Sequence, residues 1–250
     1  MDLALVWGCV AGGATIGAAT ESLAGRLVAA QGEAGTLDPA RSVEGAHLAA
    51  LSLQGAPRPT TSERRICVAA STVVTATLFL LAAVRLGSVP HLAAYCALLA
   101  GLVAVSIADL RLGIIPRIML YPAFGLCLAG LVGASWAEGR WFSLVWAVAG
   151  GAIAFGVFFA LWWFFPNGIG YGDVRLAGVL GASLGWLGPG ELYVGFLAAF
   201  LLGTAFGAAV MVVRRSGRGT RFAFGPSLAA GAAFSVLWGG WIIQLWRGHA

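Results

Sequence analysis

The sequence predicts an all-α, polytopic membrane protein with about eight transmembrane helices and both termini outside. The chain is 60% hydrophobic and only 10% charged, whereas a soluble domain needs roughly 25% charged residues to cover its surface. Uncharged apolar runs recur along the chain, most of them near the roughly 20 residues that cross about 30 Å of hydrocarbon as a helix. Most of the basic residues, moreover, lie in every second segment between these runs, which places them on one side of the predicted membrane.

Eight apolar runs follow one another along the chain. The first has no basic segment before it and is long enough to span, so it predicts a transmembrane helix and not a cleaved signal peptide. The sixth run is short and starts just after Asp173 and Arg175, which predicts a tilted or half-buried helix with its N-terminus below the membrane surface. The runs are 3–20, 66–84, 89–108, 118–136, 141–165, 176–187, 192–213 and 222–246.

The basic residues predict the orientation. All 15 are arginine, and 12 of them fall in the segments 21–65, 109–117, 166–175 and 214–221. The positive-inside rule places these segments in the cytoplasm and both termini outside. The segment 21–65 has too few large apolar residues to bury a core, so it is predicted as a cytoplasmic loop within one domain, 1–250.

Asp109 and Asp173 stand apart from the other acidic residues because both lie at predicted cytoplasmic ends of apolar helices. Each could simply cap or anchor its helix. Two carboxylates in one low-dielectric site cannot both ionise cheaply, so one keeps a proton. The ionised carboxylate can then activate a water while the other protonates a carbonyl oxygen. The pair therefore indicates aspartic protease chemistry.

Three glycines, Gly168, Gly170 and Gly172, precede Asp173. Glycine permits backbone conformations closed to other residues and lets another backbone approach closely. We expect these glycines to give an extended substrate access to Asp173. A flexible glycine linker is the simpler alternative.

Four stretches of the chain carry a family resemblance. The segment Gly170-Tyr171-Gly172-Asp173 matches a G-x-G-D motif and continues as "GDVRLAGVLGASLGW". Upstream, "IADLRLGIIPRIML" places Pro116 seven residues after Asp109. "FAFGPSLAAGA" and the glycine-rich "GCVAGGATIGAATESLAGRL" add two further matches. Together they resemble the prepilin peptidases, type IV prepilin leader peptidases of the GxGD aspartic protease family.

The resemblance implies an activity and its residues. Asp109 and Asp173 would be the catalytic dyad, with five further residues of the motifs positioning the substrate. The reaction would be cleavage of leader peptides from prepilin or pseudopilin precursors at the cytoplasmic face of the bacterial inner membrane. Such precursors carry a short basic leader ending in glycine, followed by a hydrophobic helix. The partners would be these precursors and the bilayer, with no nucleic acid. The five motif residues are Gly170, Gly172, Pro116, Gly225 and Pro226.

The chain departs from the longer members of that family. Those members carry a cytoplasmic insertion with two C-x-x-C pairs that binds zinc, and they methylate the new N-terminus with S-adenosylmethionine. The loop 21–65 has no cysteine, so the chain looks like a short form without a metal site. We expect cleavage to need no cofactor, and S-adenosylmethionine to matter only if methylation is retained.

Two other functions remain open from the sequence. Membrane-embedded acids also serve transporters and assembly subunits that catalyse nothing, although transport sites tend to lie at the bilayer midplane and not at one edge. A different GxGD protease, which cuts inside transmembrane helices, would share Asp173 and its glycines. The segments around Pro116 and Pro226 argue against it.

Overall fold

The computed structural model describes residues 61–87, 89–112, 117–165, 169–214 and 224–248, and the regular elements in these ranges are all helical. The prediction of an all-α fold is confirmed for this part of the chain. In residues 225–248, a five-residue π-helical segment joins two α-helices into one continuous helical stretch. The helices are α1 (Thr61–Leu86), α2 (Leu92–Leu112), α3 (Arg117–Glu138), α4 (Trp141–Phe164), α5 (Tyr171–Leu187), α6 (Pro189–Arg214), α7 (Gly225–Phe234) and α8 (Gly240–Gly248), with the π segment at Ser235–Gly239.

Six of these helical stretches are long and apolar enough to cross a membrane, and the chain is an integral membrane protein. They coincide with six of the predicted runs, and α5 corresponds to the short sixth run. The predicted helix at 3–20 and nearly all of the loop 21–65 lie outside the described residues. The total of eight helices and the outside location of both termini therefore stay predictions, as does the single domain 1–250.

Two helices begin five residues before the apolar runs that predicted them. α1 starts at Thr61, so the last residues of the predicted loop 21–65 are helical. α5 has 17 residues and starts at Tyr171, five residues before the apolar run at 176. Polar residues in these first turns lower the local hydropathy, so the apolar pattern does not reveal where the helix begins. The earlier start of α5 places Asp173 inside the helix.

Glycines bring α4 and α5 into very close antiparallel contact. A Cβ atom at Gly150 of α4 would lie 2.5 Å from the carbonyl oxygen of Gly181 on α5. One turn further along α5, a Cβ at Gly185 would collide with the carbonyl of Trp146. Small residues favour helix association in lipid because the backbones can approach closely. This pairing packs α5, which carries Asp173 in its first turn, tightly against α4.

The substitution Gly150→Ala is expected to lower the stability of the bundle. Its methyl group would meet backbone and not a flexible side chain, so the two helices must separate, at a cost of about 1–3 kcal/mol. Gly156→Ala is the matched control on the same helix, because a Cβ there meets nothing within 4 Å. Thermal unfolding in detergent should show a lower Tm for Gly150→Ala alone; equal Tm values for both variants would contradict the close packing.

Buried polar contacts tie α2, α3 and α5 together at one end of the bundle. The indole Nε1–H of Trp186 donates to Ser135 Oγ at 2.7 Å. The Tyr95 hydroxyl donates to the Ser183 carbonyl at 2.7 Å. Since the side chains of Tyr95 and Trp186 are fully buried, these contacts fix α2 and α5 relative to each other. The opposite ends of the same two helices carry Asp109 and Asp173.

Candidate active site

Asp109 lies in the last turn of α2, where it faces the start of α7. Its side chain is only 5% exposed. A Cβ atom at Gly225 would lie 2.5 Å from its Oδ2 atom. Oδ2 is buried and has no hydrogen-bond partner within the described residues. A buried acceptor without a partner is costly, so this oxygen is suited to bind a group from outside the chain.

Asp173 lies in the first turn of α5 and is 6% exposed. Its Oδ2 accepts a hydrogen bond from the backbone N–H of Gly170 at 3.3 Å, and its own N–H donates to the Gly170 carbonyl at 3.0 Å. Gly170 is therefore the N-cap residue and Asp173 the third residue of the helix. Asp173 is not itself the N-cap residue, but its carboxylate caps the helix through the Gly170 N–H, as the capping alternative expected. The reciprocal bonds fix the carboxylate against the turn before α5.

The structure brings the two aspartates together. Burial and, after it, the nearby Asp109 carboxylate raise the pKa of Asp173, which lies outside the six stretches long enough to cross a membrane. Both α2 and α5 pack against α7, and Gly225 is the first residue of α7. Asp109, Asp173, Gly170 and Gly225 consequently surround one site at one end of the bundle. Two buried carboxylates that sense each other's charge are the arrangement that general acid–base chemistry requires.

The glycines before Asp173 do not have the backbone role expected of them. Gly170 has φ −75° and ψ 144°, which is ordinary extended backbone. Gly172 lies in the first turn of α5 and is not among the described glycines with positive φ. The expectation of conformations closed to other residues is therefore wrong at both positions; Gly168 lies outside the described residues. Gly170 is exposed, so the lack of a side chain keeps the approach to Asp173 open.

The remaining predicted residues are Pro116 and Pro226. Pro116 lies outside the described residues. Pro226 is the second residue of α7 and half-buried; proline suits a first helical turn because no backbone donor is needed there. Gly225 and Pro226 together begin the helix that faces Asp109.

Phe224 also belongs to the site, although the sequence analysis did not select it. It is the N-cap residue of α7, and its ring packs 5.7 Å from Phe200 and 6.2 Å from Phe158. A Cβ at Gly203 would collide with this ring. Phe224 thereby fixes where α7 begins and where Gly225 meets Asp109. The stretch "FAFGPSLAAGA" contained the signal, because Phe224 directly precedes Gly225 and Pro226.

No group of three or more potential metal ligands comes together among the residues that the structure describes. The zinc ligands of the longer prepilin peptidases are cysteines, and the loop 21–65 has none. The residues present do not fit such a zinc site.

Comparisons with known proteins identify the region that carries both aspartates. Residues 96–208 match the type IV leader peptidase family. A prepilin leader peptidase/N-methyltransferase of Pseudomonas putida is 33% identical over 143 residues, covering 55% of this chain and 47% of that protein. Its namesake in Aeromonas salmonicida is 32% identical over 55% and 46% of the two chains. That of Bacillus subtilis is 29% identical over 71% and 68%.

The chain spans about half the length of the Pseudomonas and Aeromonas relatives. No solved structure matches it. Asp109 and Asp173 both lie within the matched segment 96–208. Through that segment, the chain is similar to the type IV leader peptidase family.

Proposed function

We propose that this protein is a membrane aspartic endopeptidase that cleaves the leader peptide of type IV prepilin-like precursors at the cytoplasmic membrane face. The observation that carries the proposal is the meeting of two buried carboxylates, Asp109 from α2 and Asp173 from α5, at one end of the bundle. The family of the matched segment supports the same reaction and the same class of substrate.

The reaction needs one ionised and one protonated carboxylate. The ionised group takes a proton from water, and the resulting hydroxide attacks the scissile carbonyl carbon. The protonated group donates to the carbonyl oxygen as negative charge develops there. Collapse of the intermediate breaks the C–N bond. The amine of the mature chain leaves with the proton that the first carboxylate took from water, and the second carboxylate recovers its own proton from the carbonyl oxygen. Asp109 Oδ2, unpartnered within the described part of the chain, is free to contact water or the scissile carbonyl.

The position of the aspartates fits the boundary between a leader and a hydrophobic helix. Asp109 lies three residues before the end of α2, and Asp173 two residues after the start of α5. Both are therefore at the edge of the bundle, where a polar leader can stay in water while the following helix stays in lipid. The arginine-rich segments support the cytoplasmic side of the inner membrane for this edge.

Processing in cells tests the proposal. We would express the chain with a prepilin-like precursor in a bacterial strain that has no prepilin peptidase of its own. We expect the precursor to shift to the size of the mature pilin. Precursors of pilus and secretion systems that all stay full length, although the protein reaches the membrane, would favour a non-enzymatic function.

We further propose that cleavage leaves an unmethylated N-terminus. The named relatives are leader peptidase/N-methyltransferases, but the cysteine-free loop 21–65 cannot provide a zinc-binding C-x-x-C insertion. Mass spectrometry of the mature product, with S-adenosylmethionine supplied, should give the mass of the free amine. A product heavier by about 14 Da would show that methylation is retained.

A further inference from the structure

A large apolar groove opens on the side of the bundle between α1, α2 and α7. Its volume is about 760 Å³. It is lined by apolar and small side chains of these helices, by Leu202 of α6 and by the π segment, and none of the described residues that line it is charged. We call it the α1–α7 groove; residues that mark its extent are Cys67, Ala70, Leu81, Leu110, Pro226 and Trp238.

One end of the α1–α7 groove adjoins the two aspartates. Leu110, which lines the groove, follows Asp109 directly, and Pro226, which also lines it, follows Gly225. From this end, the lining extends along α1 from Cys67 to Leu81. At 1.5 Å per residue, that is roughly 20 Å. The groove thus starts at the candidate active site and runs toward the middle of the membrane.

The wall of the groove suits an apolar helix. On α7 the lining includes Ala229, Ala230 and Ala233, and on α1 it includes Ala70. Small side chains allow two helix backbones to approach closely in lipid, where association depends on such packing. A length of roughly 20 Å matches about 14 helical residues.

We propose that the α1–α7 groove binds the hydrophobic helix of the precursor, the segment that directly follows the leader. The inference rests on the proposed function and assigns the substrate to a particular face of this chain. A helix in the groove would end beside Asp109, whose buried Oδ2 has no partner within the described residues. The peptide bond just before the helix would then reach both carboxylates, and the leader would extend into the cytoplasm.

A matched pair of alanines tests the groove. Ala230 is an exposed residue of its wall, and Ala152 is an exposed residue of α4 outside it. Ala230→Trp should lower kcat/KM for a full-length precursor at least tenfold, mainly through KM, because the indole occupies the path of the helix. Ala152→Trp should have the activity of the wild type. A short peptide that holds only the leader and the scissile bond should be cleaved equally by both variants.

These measurements distinguish a failure of the proposed function from a failure of the groove proposal. If the wild type cleaves neither substrate, the proposed function fails. If the wild type cleaves both and Ala230→Trp cleaves the full-length precursor as well as Ala152→Trp does, the groove proposal alone is overturned. The groove proposal is also overturned if Ala230→Trp slows cleavage of the short peptide as much as cleavage of the precursor.

Cross-linking gives a second test that does not depend on catalysis or on the tryptophan variant folding. Cys67 lines the groove and is exposed, whereas Cys96 and Cys127 are buried. In the Asp173→Asn background, oxidation should join Cys67 to a cysteine placed in the first turns of the precursor's hydrophobic helix. The chain offers one competing occupant, the apolar segment 3–20, which contains Cys9. A Cys9–Cys67 disulfide that forms to the same extent with and without precursor, or no cross-link to the precursor, would overturn the proposal.

Discussion

Asn in place of Asp109 or Asp173 is expected to reduce precursor cleavage at least about 1,000-fold. Asparagine keeps the size of the side chain but can neither take a proton from water nor give one to the scissile carbonyl. Since the two groups act in one step, their losses should not add, and the double variant should have about the same residual activity as either single variant. Cleavage rates of purified variants in detergent, on the same precursor, measure the effect.

Glu191→Gln is the control for the loss of a carboxylate. Glu191 lies in the first turn of α6, at the end of α5 away from Asp173, so its loss should leave the rate unchanged. Wild-type thermal unfolding of both asparagine variants would show that folding is not the cause. If an asparagine variant cleaves within tenfold of the wild-type rate, the aspartate that it replaces has a structural and not a catalytic function.

Gly225→Ala is expected to lower kcat about 100-fold while the fold survives. The new methyl group would lie 2.5 Å from Asp109 Oδ2, so the carboxylate must rotate or shift away from it. The end of a side chain can yield at little cost in stability, but a displacement of about 1 Å in a catalytic group costs roughly 100-fold in rate. The measurement is kcat beside the Tm of the same preparation.

Gly156→Ala is the matched control for Gly225→Ala. A Cβ at Gly156 meets nothing within 4 Å, so both kcat and Tm should stay near the wild-type values. If Gly225→Ala retains full activity, the contact between α7 and Asp109 does not position the carboxylate. If its Tm collapses together with its activity, Gly225 serves folding and not the geometry of the site.

The sequence was a good guide to the helices because long apolar runs leave few alternatives to a membrane helix. For example, the apolar run 141–165 predicted a helix that the structure shows at Trp141–Phe164. The start of α5 was less predictable, since Asp173 and Arg175 interrupt the apolar pattern that hydropathy detects. In the structure, these residues are in the helix because Gly170 caps it and bonds to the Asp173 side chain.

The site was predictable in part. Asp109 and Asp173 could be selected because no other acidic residue was comparably placed in an apolar helix, and the structure brings them together. Gly225 was selected only because it lies in a stretch that resembles a family motif. Its contact with Asp109 depends on how α7 packs against α2, which no local pattern encodes. The local argument for the backbone of Gly170 was wrong because an N-cap glycine can be extended.

The α1–α7 groove could not be predicted from the sequence. Its walls come from helices that are far apart along the chain, and the small residues of α7 look like ordinary parts of an apolar run. Only the packing of α1, α2 and α7 shows that Ala230 lies in a groove that begins beside Asp109.

The central claim is that Asp109 and Asp173 form one proteolytic site. The most direct test is to incubate a purified model precursor in detergent with wild type, Asp109→Ala and Asp173→Ala, and to measure intact masses. We predict that the wild type alone gives two products whose masses place the cut between the leader and the hydrophobic helix. The same products from either alanine variant, or a wild-type cut at another position, would contradict the claim.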